Sequence, residues 1–477
     1  MLNLTNFADF PPFAAKLREL ARDGVLARDL PVFVARAPGR LDVMGGIADY
    51  SGSLVLELPI REATFVAVQR DSRAVVRLVT LLQDVTLDTS CEITLKDLKR
   101  DQPDAYSVIR ARLRTNPRRH WAGYAAGAFS VLMREIGCTF DEGARIVIHS
   151  NVPPGKGVSS SAALEVAAMN AISRAFDIEI DAQQLALLCQ KVENLIVGAP
   201  SGVMDQMTAS CGEAGTLLML ECQPANFITN LPVAEGVAFW GLDSGVRHSV
   251  AGNAYGAVRT AAFMGYRMIA DAAGLAVRDC STPGLAEIDD QRWRGYLANL
   301  SPSEFERDYA GRLPEVVSGS EFLARYRGTT DLVTRVDPER DYAVLSATSH
   351  PIYENERVGF FSELISPPAA EDRLVTAGEL MYESHASYSR CGLGCPETDR
   401  IVELVKAAGP KAGLYGARIT GGGSGGTVAI LGREDTRTVV EDIARRYAED
   451  TGLQPYIFEG SSEGAARAGC VKMRVDS

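Results

Sequence analysis

Among the 477 residues there is no uninterrupted apolar run near the ~18 that a membrane-spanning helix needs, so none is expected. The start, MLNLTNFADFPPF, has none of the basic, apolar and small-residue zones of a secretory leader. The nine cysteines fall at spacings that make no disulfide framework. Cys391 and Cys395 in CGLGC have no second Cys or His pair at zinc spacing, which speaks against a metal site there. Basic residues are outnumbered 49 to 61, for a net charge of −12. That deficit argues against nucleic acid or an anionic membrane as the main partner, and leaves room for a local basic site that takes a small anion. Lysine is scarce beside arginine, a habit of GC-rich bacterial coding. Together these absences predict a soluble protein of a reducing, cytoplasmic compartment.

What is present is a globular chain, 46% hydrophobic and 23% charged, long enough for two or three packed units. Pro11 and Pro12 open a helix that Gly24 stops, and PVFVARAPGR reads as a strand running into a turn. Residues 54–94, rich in Val, Leu and Thr, read as several strands. Helices are expected over 121–136, from Ser159 onward, over 182–197, after Ser201, and over 253–273, with ARIVIHSNV, TLLMLEC and VAFWGLD as strands. Residues 279–340 are charged and irregular and read as an insertion. Helices then follow over 372–388 and 398–408, with a Gly-rich hairpin around GARITGGGSGGTVAIL and a last helix stopped by Gly452. The class is α+β, in two lobes.

Four stretches can carry chemistry. In VPPGKGVSSSAALE (152–165) a strand meets a Gly-rich turn and then a Ser-rich helix start. Unpaired N–H groups and the positive end of the helix dipole attract phosphate there, and the serine hydroxyls can cap the helix or reach a metal ion. A well-capped helix start with no ligand is the plainer alternative. It is not a Walker loop, because Ser150 stands where the first Gly belongs and Gly157 follows Lys156 where Ser or Thr is required. In TGGGSGGTV (420–428) the letters satisfy GxGxxG, yet a strand follows instead of a helix, so a dinucleotide fingerprint is not expected. APGRLDVMGGIADYSGS (37–53) sets Arg40, Asp42 and Asp49 in one Gly-rich segment, suited to a polyhydroxylated, phosphate-accepting substrate or simply to a surface ion pair. In GVMDQMTAS (202–210), Asp205 lies in an apolar helix, where a buried carboxylate needs a partner or a purpose.

Taken together, and in this order, APGRLDVMGGIADYSG, VPPGKGVSSSAALE, GVMDQ and GARITGGGSGGTV resemble the signature motifs of the GHMP kinases, galactokinase branch. DSGVRHSVAGNAY and ELMYESHASYS extend the resemblance along nearly the whole chain, residues 279–340 matching least. The segments MGGIADYSG, MDQM, RHSV, HPIYEN, TGGGSGGT and FEGSS are most similar to plant-type L-arabinose kinases.

The resemblance implies a two-lobed fold with the active site between the lobes, residues 1–235 in the first lobe and 236–477 in the second. It implies that Gly155, Lys156, Gly157, Val158, Ser159, Ser160 and Ser161 wrap the phosphates of ATP. Ser161 and Glu193, twelve residues before Asp205, would hold Mg²⁺. Asp205 would be the catalytic carboxylate and Arg40 the arginine beside the anomeric oxygen. Gly421, Gly422 and Gly423 would form the Gly-rich turn at the site. Asp49 and Tyr255 would bind sugar. Beside them, galactokinases carry Glu-His where this chain has Gly46-Ile47, a pair that looks toward the C6 hydroxyl of galactose. L-Arabinopyranose has galactose's ring configuration without that CH₂OH, so an isoleucine there suits a pentose; a uronic acid would want a cation. The implied activity is sugar-1-phosphorylation of L-arabinose with ATP. A kinase for galactose or another galacto-configured sugar is the alternative, and a sugar sensor without turnover a more distant one. His248 is expected to be structural, and the basic run Arg112–Trp121 a solvated loop, or an aid to holding ATP.

Overall fold

The computed structural model describes residues 4–82, 84, 86–99, 105–247 and 253–475. His248 lies outside them. The chain is α+β and contains two main sheets. The larger has eight strands, of which six run in the order Cys470–Met473, Val32–Met44, Leu54–Asp71, Gly143–Ser150, Val75–Thr80, Ser90–Thr94. Thr216–Glu221 pairs with the first residues of Leu54–Asp71, and Asn226–Pro232 pairs with Thr216–Glu221. Every pairing is antiparallel except Val75–Thr80 with Gly143–Ser150.

Alternation along the strands explains the two covered faces. Phe65 and Ala67 point to one side, where Phe10, Phe13 and Leu17 of helix Phe10–Arg22 pack on them. Val66 and Val68 point to the other, against helices Ala122–Val131, Ser160–Ala175 and Ala182–Lys191.

The smaller sheet is antiparallel, in the order Leu414–Ile419, Thr427–Arg433, Val237–Asp243, Ile457–Glu459. Helices Pro396–Ala408 and Arg437–Thr451 cover one face, through Ile401, Val405, Val440, Ile443 and Tyr447. The other face meets the larger sheet: Phe239, Ala429, Leu431 and Phe458 share a core with Leu41, Val43, Leu56 and Leu58.

Three elements differ from the sequence expectation. PVFVARAPGR does not turn at its end; the strand continues to Met44 with register shifts between Pro38 and Arg40 and between Asp42 and Met44. Those irregularities aim Arg40 and Asp42 from a strand rather than from a loop. Helix Val344–Ile365 escapes the sequence pattern because Pro351 lies inside it. Residues 276–342 are not irregular. They fold into a three-stranded sheet, a two-stranded pair and short helices whose Trp293, Leu297, Phe305 and Phe322 share a core with helix Asn253–Ala272 and with Ile47 and Tyr50. Among the described residues no helix is long and apolar enough to cross a membrane.

Candidate active site

One cleft is lined by Arg40, Ile47, Asp49, Gly155, Gly157, Ser159, Ser160, Ser161, Glu193, Pro200, Ser201, Gly202, Met204, Asp205, Tyr255, Gly421 and Gly422. Residues far apart in sequence meet there because the cleft gathers strand Val32–Met44, the start of helix Ser160–Ala175, the start of helix Met204–Cys211 and the hairpin turn after Leu414–Ile419.

At its floor Arg40, 3% exposed, donates from Nε to Asp205 Oδ1 at 2.9 Å, with Nη2 2.7 Å from the same oxygen. Nε is also 3.1 Å from Glu57 Oε2, and Nη1 donates to the Gly157 carbonyl at 2.9 Å. Burial works against the guanidinium's charge, but Asp205, Glu57 and Asp42 outweigh it and hold the group protonated. Glu57 is fully buried; burial and the nearby Asp42 push its carboxyl well above the usual range, with Arg40 opposing. Asp42 is spent on architecture. It accepts from Gly46 N (3.1 Å), Gly421 N (2.9 Å) and Arg418 Nη1 (3.0 Å), tying segment 37–53 to the Gly-rich turn.

The glycine loop approaches closely from above. A Cβ on Gly39 would stand 2.6 Å from the Val158 carbonyl, which itself accepts from Arg40 N at 3.1 Å. Gly155 and Gly157 take positive φ (75° and 72°), and Ser159 caps the helix at φ 58°, left-handed for a non-glycine. The Ser159 Oγ, at the first turn of the helix, is buried without a hydrogen-bond partner. Such an atom fits a phosphate ligand. Two residues of this loop turn elsewhere: Lys156 pairs with Asp243, and Val158 is buried among Leu41, Ile60 and Val152.

Glu193 sits in the widened π turn 192–197 that ends helix Ala182–Lys191, buried beside Ser161 and Ser201. Its Oε2 accepts from Gln206 Nε2 at 2.6 Å, and Gln206 also donates to Glu165 at 3.1 Å. Burial, then Asp205, raises the Glu193 carboxyl to about 6, while hydrogen bonds from Ser161, Ser201 and Gln206 oppose the rise. One carboxylate beside a serine hydroxyl at the glycine loop is a donor set that fits Mg²⁺, which takes few protein oxygens and fills its shell with phosphate and water. Part of the basic run predicted as a loop serves this turn. Arg110, just before it, donates to Leu195 O (2.9 Å) and Arg114 to Val197 O (3.0 Å), meeting carbonyls at the helix end. Arg112 pairs with Asp97, and Arg118 and Arg119 with Asp88.

On the wall expected to take sugar, Asp49 is buried, with Oδ1 lacking a partner. Burial, then the neighbouring Asp205, raises its carboxyl to about 7; Arg259 pulls the other way. Ile47 and Tyr255 complete this wall, and the Tyr50 ring meets the Tyr255 ring edge-on, centroids 5.9 Å apart. Gly46 lies behind the wall at φ 49°, where a Cβ would fall 1.7 Å from the Tyr388 hydroxyl. That hydroxyl accepts from Ile47 N at 2.8 Å and donates to Gly421 O at 2.9 Å. Gly423 is likewise set back, against Leu393. Glu57, Tyr388 and Arg259 are neighbours of the site that sequence reading missed. Signals existed for two of them: a lone acid in the apolar run LVLELPI, and an arginine one helical turn after Tyr255.

Comparison with known proteins gives three family matches: GHMP kinases N terminal domain over 123–213, GHMP kinases C terminal over 367–450, and the galactokinase galactose-binding signature over 27–70. An L-arabinokinase of Arabidopsis thaliana is 44% identical over 95% of this chain; the chain spans about half of that relative, 48% of its length. A galactokinase of Chloroflexus aggregans is 32% identical, covering 90% of this chain and 91% of its own. The solved structure of Lactococcus lactis galactokinase complexed with galactose shares the fold, with a TM-score of 0.72 at 20% identity over 97% of this chain and 100% of that one.

Proposed function

Because this chain belongs to the GHMP kinases, in their galactokinase branch, we propose that it transfers the γ-phosphoryl group of ATP to the anomeric hydroxyl of a galacto-configured sugar, with L-arabinose preferred. The observation that carries this reading is the Arg40–Asp205 pair, in one cleft with the glycine loop 155–161 and with Asp49, Ile47 and Tyr255.

Asp205 accepts the proton of the C1 hydroxyl as that oxygen bonds to the γ-phosphorus and the bond to the β,γ-bridging oxygen breaks, releasing ADP. Arg40 stabilises negative charge on the attacking oxygen and the transferring group, and its contact with Glu57 fixes its orientation. The loop amides and Ser159 receive the phosphates. Ser161 and Glu193 would hold Mg²⁺, which when bound neutralises charge on the phosphate oxygens. The cytoplasm, where ATP is available, suits this chemistry.

Ile47 supports the pentose. A C6 hydroxyl set against it loses water without gaining a hydrogen bond, a cost of about 1–3 kcal/mol. Galactose is the second reading, favoured by the match of residues 27–70 to a galactose-binding signature. The test is sugar-dependent ADP release across a sugar panel, with ³¹P NMR locating phosphate on the anomeric oxygen. Release without sugar dependence, or phosphate on another hydroxyl, contradicts the proposal.

A further inference from the structure

Besides the apolar packing of Trp293, Leu297, Phe305 and Phe322 with Ile47 and Tyr50, residues 276–342 reach the sugar wall through an ion pair. Arg259, on helix Asn253–Ala272, is gripped at both ends of its fork: Nε donates to Asp331 Oδ2 at 2.9 Å and Nη2 to Oδ1 at 2.8 Å. Asp331 is 2% exposed and is itself held by Val333 N (3.0 Å), Thr334 N (3.1 Å) and Thr334 Oγ1 (2.6 Å). The guanidinium has three further contacts, one with the Phe263 ring (5.6 Å to its centroid) and two that touch the sugar site. Nη1 donates to the Ser201 carbonyl at 3.1 Å. Ser201 and Gly202 line the cleft, and Gly202 abuts Asp49 so closely that a Cβ there would lie 1.6 Å from Oδ2. The face of the guanidinium lies over Tyr50, 5.4 Å from its centroid, and Tyr50 in turn meets Tyr255.

The geometry points to Asp331 as a positioning residue for sugar: by fixing Arg259 it holds the Ser201–Gly202 wall and the Tyr50–Tyr255 ring pair on either side of Asp49, and so sets affinity for sugar rather than for ATP. This rests on the sugar-kinase reading. A buried ion pair is a weak source of stability; a planar fork with every edge engaged is a strong source of orientation. Ser201 also borders Glu193, but Asn194 holds it there independently (Ser201 N donates to Asn194 Oδ1 at 2.8 Å), and Asp331 touches neither Glu193 nor the glycine loop, so loss of Asp331 falls on the sugar side.

The test compares Asp331→Asn with Asp290→Asn. Asp290 stabilises the same segment through Tyr266 Oη (2.6 Å), Trp293 N (2.8 Å) and Gly295 N (2.9 Å) and makes none of these bonds to Arg259. Asp331→Asn is expected to raise the sugar KM about tenfold or more while the ATP KM stays within about twofold. Asp290→Asn is expected to lower the thermal midpoint with the sugar KM unmoved. Should Asp331→Asn fail to fold, Thr334→Val and Arg259→Lys carry the same comparison and are expected to show the same sugar-selective rise. A sugar KM unchanged in the Asp331 variant, an equal rise in the Asp290 variant, or equal shifts in both substrates' KM values overturns the inference. A parent protein with no sugar-dependent ADP release overturns the kinase reading beneath it; an active parent with an unmoved sugar KM in the variants overturns this inference alone.

Discussion

Arg40 and Asp205 form a contact of 2.7 Å in which the arginine is buried and the carboxylate keeps 21% of its side chain open to the cleft. A fixed cation thus holds a reachable base, the arrangement needed to draw a proton from a hydroxyl and stabilise the oxygen left behind. Asp205→Asn keeps the shape and loses the base. Turnover is expected to fall roughly 10²–10⁴-fold with ATP binding retained; turnover within a few-fold of the parent would show that Asp205 is not the base.

Glu193 is hydrogen-bonded to Ser161 of the glycine loop, and both line the cleft. Glu193→Gln is expected to move the Mg²⁺ concentration required for half-maximal rate upward by about tenfold or more, leaving sugar binding within about twofold. A superimposable Mg²⁺ titration would remove Glu193 from the metal site.

Gly46 gives a stability prediction. Gly46→Ala meets both a positive φ and the Tyr388 hydroxyl, whereas Gly137→Ala meets a positive φ (76°) with nothing within 4 Å. Both pay the left-handed penalty of about 1 kcal/mol. Gly46→Ala pays about 1–3 kcal/mol more for overpacking. Urea denaturation of both variants checks this, and equal losses would contradict the packing found around Tyr388.

Asp49 predicts a pH dependence. Its folded pKa of about 7 lies above the unfolded value of about 3.9, so between those values the folded state holds a proton that the unfolded state has released. The resulting stabilisation is full below about 4 and lost as pH rises through about 7. Asp49→Asn is therefore expected to gain thermal midpoint relative to the parent as pH rises from 4 to 8, with the gain largest at pH 8. A constant difference across that range would contradict the burial of this carboxylate.

The local plan of the site is legible in the sequence, because a strand, a glycine turn and a serine-started helix follow one another within 143–175 and because Asp205 stands alone in an apolar helix. What the sequence hides is long-range. Gly46 reads as a missing partner for a sugar hydroxyl; in the fold it is a vacancy filled by Tyr388, 342 residues later, so no side chain fits there. Residues 279–340 read as an insertion since their short elements lack clean periodicity, and only tertiary contact reveals Asp331 behind Arg259. Pro351 masks helix Val344–Ile365 for the same kind of reason: a local rule is overridden by packing.

Since Gly46 has no room, the specificity test falls on Ile47 alone. The central measurement is kcat/KM for L-arabinose and D-galactose in the parent and in Ile47→His. The parent is expected to favour L-arabinose by roughly 10–100-fold, the rate equivalent of about 1–3 kcal/mol, and Ile47→His to shift the ratio toward galactose. A parent that already prefers D-galactose would contradict this expectation.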